Sequence, residues 1–419
     1  MLTPLSVPLR EIIYGIENDI ILPTEPLIIM VLMIFLFKIL YEKKFDVNVL
    51  KHPVTILIFF NLLWILLTSV TSVLPVVSFK FLISRIWFLV TFYFLAIQIF
   101  TKTRNIETYL WCFIVPLLGI ITYALVRHYG YGFANQRAAH IVSRPFFNDH
   151  TAYGAILALV YPVVIYFFVK PGKELLYKIF SFILIAFFSF AIVLSYTRAT
   201  WLSLVGSLCV VILIKYRIKL VYILSAVLIL FVFLVISWQT ILLKLEQNKT
   251  DSSKYLMDHV KSMSNVSTDA SNLERINRWS CAIRMFKEKP VFGWGPGTYL
   301  FKYAPFQLSY QKTIISTNAG IMGNAHSEYI GPLAESGVPG SFTFILIVVF
   351  TIITAVRIYY RQEDVRTKEL ILAILAGLIS YYIHGLMNNF LDTDKASCLF
   401  WGYTAIIVAL DIKQKQNNS

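Results

Sequence analysis

Charge is what this chain has least of. Only 14% of its 419 residues are Asp, Glu, Lys or Arg, against about 25% in soluble globular domains. That is too few to cover a water-facing surface of this length. Acidic residues are the scarcer half, 23 against 37 Lys and Arg, for a formal charge of +14. Cysteine is scarce as well: Cys112, Cys209 and Cys398 fall in apolar runs and Cys281 stands apart, with no C-x-x-C pair. A disulfide framework and a thiolate zinc site are therefore excluded. No Walker loop, Gly-rich nucleotide loop, His-Glu-x-x-His or serine elbow is present, which argues against an ATP-driven pump. There is no internal repeat and no low-complexity tract. Nor is there a cleavable signal peptide, because Arg10, Glu11, Glu17, Asp19 and Glu25 break the first stretch.

What fills the space is apolar. Hydrophobic residues make up 58% of the chain, with 33 Phe and 24 Tyr, and the mean hydropathy is +0.69. A membrane span needs about 20 mostly apolar residues. Eleven runs approach this: 26–41, 54–74, 81–100, 109–126, 151–169, 179–194, 201–214, 220–238, 341–356, 370–386 and 398–410. The reading is an all-α polytopic membrane protein with 11 or 12 transmembrane helices; the twelfth would be 5–22 dipping into the bilayer. Residues 1–238 form an N-terminal bundle, 239–340 one large helical loop, and 341–419 the last spans.

The basic residues explain themselves by topology. Lys43, Lys44 and Lys51, Lys102 and Arg104, Lys170, Lys173 and Lys178, Lys215, Arg217 and Lys219, Arg357, Arg361, Arg366 and Lys368, then Lys413 and Lys415 occupy every second loop. Those loops belong in the cytoplasm by the positive-inside rule, so the charge needs no nucleic-acid partner. The N-terminal stretch, the loop 127–150, the turn 195–200 and the large loop then face outward.

Three outward segments carry candidate chemistry. Arg198, in Thr197-Arg198-Ala199-Thr200 between two apolar runs, reads either as a snorkelling interfacial residue or as an anion clamp. In the large loop, 244–270 is polar and carries the sequons at Asn248 and Asn265. Ser271 to Glu274 then reads as a capping box opening a helix to about Lys289, on which Arg275 and Arg278 flank one face. The cluster Gly293-Trp294-Gly295-Pro296-Gly297 reads as a rigid turn. Asn324-Ala325-His326-Ser327-Glu328 precedes a short helical run to Glu335, with Gly337 where a C-cap would sit. His326 is a natural general base at neutral pH, and Asn324 and Glu328 are placed to support it. Asp392-Thr393-Asp394 reads as a solvated turn, and His384 with Asn388 and Asn389 as lining for a polar cavity or bonds to neighbouring helices.

In their order and sidedness these motifs resemble the O-antigen ligase superfamily, which includes O-antigen polymerases and protein O-oligosaccharyltransferases. The resemblance covers 130–345 in motifs and the whole chain in span layout. It implies a GT-C-like, metal-independent, cofactor-free, inverting glycosyltransferase of the bacterial inner membrane, its active site facing the periplasm. The donor would be a glycan on undecaprenyl diphosphate. The acceptor would be lipid A–core in a ligase, or another lipid-linked glycan in a polymerase. Arg198 and Arg275 match the arginines that contact the donor diphosphate, and His326 matches the histidine that activates the acceptor. Arg278 and Arg144 are further candidate diphosphate contacts, and Thr197 is a supporting one. Family ligases show twelve spans with the N-terminus inside, a departure that leaves residues 1–25 in question. A flippase for lipid-linked sugars is the competing class, but the matched broken spans of a transporter are absent.

Overall fold

The computed structural model describes residues 3–12, 20–42, 45–218, 237, 270–313, 316–317 and 323–417. Its long helices are α1 (Thr24–Glu42), α2 (Pro53–Val70), α3 (Pro75–Ile99) and α4 (Thr103–Tyr131), with a short α5 (Gln136–Val142). There follow α6 (His150–Val169), α7 (Leu175–Leu194) and α8 (Arg198–Lys215). The last are α9 (Ala270–Glu288), α10 (Ile330–Arg361), α11 (Val365–His384) and α12 (Asp394–Asn417). All but α5 and α9 are long and apolar enough to cross a bilayer, ten among the described residues. The expected span 220–238, the polar stretch 244–269 and both sequons lie outside the described residues. Residues 5–12 and 20–22 form no span. They make a short two-stranded ladder, Val7 opposite Leu22, beside a helical turn.

The bundle is built around α11 and α12, which are buried almost throughout, while α1 and α7 face outward. Small residues let α11 in. A β-carbon on Gly377 would collide with neighbouring groups on α6 and α12, starting with the Leu159 carbonyl. Ser380 Oγ donates to the Ala158 carbonyl at 3.1 Å, and Ser207 Oγ donates to the Ala376 carbonyl at 2.6 Å. Where apolar lipid removes the usual drive for helix association, close backbone approach and such bonds take its place.

The basic loops gather at one end. Glu107 accepts from Tyr166, Lys170 and Arg366, and buried Asp411 meets His52, Arg357 and Lys415. At the other end the loop helix α9 is moored to the bundle by the glycine-rich turn. Trp294 and Gly295 donate to the Ala334 and Glu335 carbonyls, and Val73 donates to the Trp294 carbonyl. Ser78 Oγ reaches the Pro296 carbonyl at 2.8 Å. Asp392 is exposed in a turn, as expected, and pairs with Arg85 at 2.8 Å; Asp394 departs from the solvated reading, being buried and accepting from Ser6 Oγ.

Gly337 closes the short helical run that starts at Ile330, where the C-cap was expected, and a second helix follows at once within α10. Its backbone has φ 65° and ψ −168°, a region open essentially to glycine alone, and a β-carbon there would strike the Val291 carbonyl. Gly337→Ala is expected to cost on the order of 1–3 kcal/mol. The check is thermal unfolding of the detergent-solubilised protein, where the melting temperature should fall by several degrees; an unchanged transition contradicts this geometry.

Candidate active site

Two helix starts form the floor of the site. α6 is capped by Asp149, whose Oδ1 accepts from the Thr151 and Ala152 amides, both at 2.8 Å. α8 begins at Arg198 behind Thr197, and Thr197 Oγ1 donates to the His150 carbonyl at 3.0 Å. The two starts press together because residue 154 is glycine: a β-carbon there would collide with Thr200 Oγ1. Helix N-termini carry partial positive charge and exposed amides, so this floor favours an anion. Arg198 thus sits on the first turn of α8, half-buried.

The wall opposite is α9. Its described part runs from Ala270, so the expected cap at Ser271 falls at the edge of the described residues. Arg275 is held where burial works against its charge and the field of Asp149 works for it. Arg198 and Arg275 lie within electrostatic range of each other. Arg278, three residues on, is engaged elsewhere. Its Nε donates to Glu274 at 2.6 Å, and its guanidinium lies over the Tyr303 ring at 3.9 Å. Glu274 also accepts from Thr313 and Ser316. This buried ion pair locks the loop around α9, and Arg278 also lies within electrostatic range of His326. Arg144 is exposed, with its Nε on the Asn148 carbonyl at 3.1 Å.

His326 arrives from the third side on a left-handed backbone, φ 49°. Asn324 Oδ1 accepts its amide at 3.0 Å, and its carbonyl accepts from Trp279 Nε1 at 3.3 Å, so α9 and the His326 loop are tied directly. Burial, then the charges of Arg275 and Arg278, push its imidazole down to about 4; Glu274 and Asp149 oppose this. At neutral pH the ring is therefore uncharged and has a lone pair to offer. Arg275 lies within electrostatic range of both Arg198 and His326.

Glu328 supports this arrangement without facing it. Its Oε1 accepts from Tyr381 Oη at 2.6 Å and from the Phe390 and Leu391 amides at 2.8 Å, and its own amide donates to the Gly385 carbonyl. The residue clips the His326 loop to the end of α11. Four further groups stand around the site: Asp149, His140 and His150, which the sequence reading did not assign to it, and His384, which was read as lining for a polar cavity or as a bond to a neighbouring helix. His140 and His150 have ring centroids 3.9 Å apart. His384 is buried, bonded through Nε2 to Asn388, and lies in the fields of Arg275 and Asp149. Asp149 ahead of an apolar run is an N-cap signature that was available; nothing local marks His140 or His150.

Burial raises the Glu328 carboxyl to about 7, with the charge of Asp392 next, while the bonds from Tyr381 and Leu391 oppose it. A folded-state value above the ordinary 4.5 means the folded protein keeps a proton that the unfolded chain gives up. Its stabilising effect is full below 4.5 and is lost as pH rises through about 7. Glu328→Gln keeps the accepting oxygen and should flatten that part of a stability-versus-pH curve, whereas Glu328→Ala should lower stability at every pH. Equal curves for the wild type and Glu328→Gln would contradict this.

Comparison with known proteins bears on this segment. A search of curated protein sequences gives no match. Residues 181–345, which include Arg198, Arg275 and His326, match the family model for O-antigen ligase. The match spans less than half of the chain; it makes this segment similar to the O-antigen ligase family and supports a membrane glycosyltransferase of the ligase and polymerase type.

Proposed function

We propose that the protein transfers a glycan from a polyprenyl-diphosphate donor to the lipid A–core hydroxyl at the periplasmic face of the bacterial inner membrane. The observation that carries this reading is Arg275 standing within electrostatic range of both Arg198 and an uncharged His326. The orientation follows from the basic loops, whose Lys170, Arg357, Arg366 and Lys415 share the end opposite the site and take the cytoplasmic side.

The chemistry then follows from charge. His326 takes the proton of the acceptor hydroxyl, and the oxygen attacks the anomeric carbon on the face away from the diphosphate. The anomeric C–O bond breaks, its electron pair passes to the diphosphate oxygen, and the configuration inverts. The added negative charge is met by Arg198, Arg275 and the helix starts beneath them, already aligned before the reaction. Arg suits the task because its planar fork binds phosphate oxygens in pairs. Arg278 acts by holding the α9 wall through Glu274, and Arg144 meets the donor from the exposed rim. Thr197 and Asn324 fix Arg198 and His326 in place. A groove of about 390 Å³ runs along α8 between α6 and α11, lined by Tyr161, Ile165, Leu204, Leu208, Val211 and Ala373; it receives part of the lipid tail.

Polymerisation uses the same donor chemistry with a lipid-linked glycan as acceptor, so the deciding test is genetic. Loss of a ligase leaves bare lipid A–core while polymerised lipid-linked glycan accumulates. Core capped with a single repeat would instead assign the polymerase reaction. His326→Ala is expected to lower transfer by ~10²–10⁴-fold with folding and donor binding kept; near-normal turnover would remove His326 from the mechanism. Arg198→Lys keeps the charge but not the fork and should lower kcat by about a hundredfold. Wild-type rates there would make Arg198 a surface anchor.

A further inference from the structure

The same cleft holds two imidazoles that the proposed transfer leaves unused. His140 on α5 and His150 on the first turn of α6 meet with ring centroids 3.9 Å apart and planes tilted by 60°. His150 is fixed in place, its carbonyl bound by Thr197 and its neighbour Asp149 capping α6. Its Nδ1 is buried and has no hydrogen-bond partner among the described residues. Leaving a buried polar atom unpaired is costly, and such an atom in a native structure calls for a ligand or another explanation.

The groups facing His150 are His140 from α5, Asp149 at the start of α6, Arg275 from α9 and Arg198 from α8. Two arginines and a second imidazole outweigh one carboxylate, and the α6 N-terminus adds to their field. Two imidazoles in contact share one proton at most, because like charges at that separation repel. A dianion entering between Arg198 and Arg275 reverses the sign of the field that the pair experiences.

We propose that His140 and His150 are the protonatable half of the diphosphate site: as the donor settles against Arg198 and Arg275, the pair takes up one proton from solvent and His150 donates through Nδ1 to a phosphate oxygen. This rests on the diphosphate reading above. The proton taken up is distinct from the one His326 removes from the acceptor, and it returns to solvent when the polyprenyl diphosphate leaves. Donor binding therefore tightens as pH falls.

The test is calorimetry on the full-length protein in detergent micelles, titrated with undecaprenyl diphosphate in two buffers of different ionisation heat. The pair of titrations gives the protons taken up per ligand, and the quantity read is the difference between wild type and variant. His150→Gln should lose about one proton of uptake and bind about tenfold more weakly, the weight of one hydrogen bond to a charged group. His326→Gln should keep the uptake. His140→Phe preserves the ring contact but removes one of the two sites for the shared proton, so uptake should persist with its midpoint moved to lower pH, and an unmoved midpoint would overturn the pair's role; this variant decides the matter if His150→Gln does not fold. Undiminished uptake in His150→Gln, or uptake lost only in His326→Gln, overturns the role of the pair and leaves the arginine site standing. Failure of the wild type to bind undecaprenyl diphosphate overturns the diphosphate reading itself, and this proposal with it.

Discussion

Two guanidinium groups, one on the first turn of a membrane helix and one on a loop helix, are held within range of each other where water is scarce. Desolvation and mutual repulsion both oppose that arrangement, since burying a charge is costly unless it is paired. Asp149 offsets part of the cost for Arg275. One carboxylate against two arginines, above two helix N-termini, leaves the cleft with an excess of positive potential. A site built this way is completed by an anion, and the rest of the fold can be understood as what keeps it from relaxing.

Three devices do that. Gly154 and Thr197 press the starts of α6 and α8 together, so Arg198 cannot swing away with its helix. The Gly-Trp-Gly-Pro-Gly turn docks on the α2–α3 connection and on α10, fixing where α9 lies. The Glu274–Arg278 pair and the Tyr303 ring close the loop around α9 from the far side. His326 is joined to α9 through Trp279 and to α11 through Glu328. The imidazole and the arginines are thereby referred to one frame, which is what preorganised stabilisation of a leaving group requires.

The membrane architecture was legible because apolar runs of bilayer length and alternating basic loops are strong signals. Arg198 stood out because a tight turn between two such runs leaves an arginine nowhere to hide. Gly337 was read as a stop, and it does close the run from Ile330; the long apolar pattern beyond it starts a second helix at once. Arg278 shows what a local reading misses. Glu274 and Arg278 stand four apart on one helix, the spacing of a side-chain pair; reading Glu274 as part of a cap hid the ion pair. His140, His150 and Asp149 belong to the site because α5 packs on the α7–α8 turn and the start of α6 on the start of α8, long-range contacts that no spacing in the sequence announces.

The central claim is the shared geometry of Arg198, Arg275 and His326 around a diphosphate. A cryo-electron microscopy structure of the full-length protein with a bound polyprenyl diphosphate tests it most directly. The account predicts the two phosphates within hydrogen-bonding distance of both guanidinium groups, above the starts of α6 and α8, with the His326 ring alongside. A diphosphate bound elsewhere, or touching neither arginine, would contradict it.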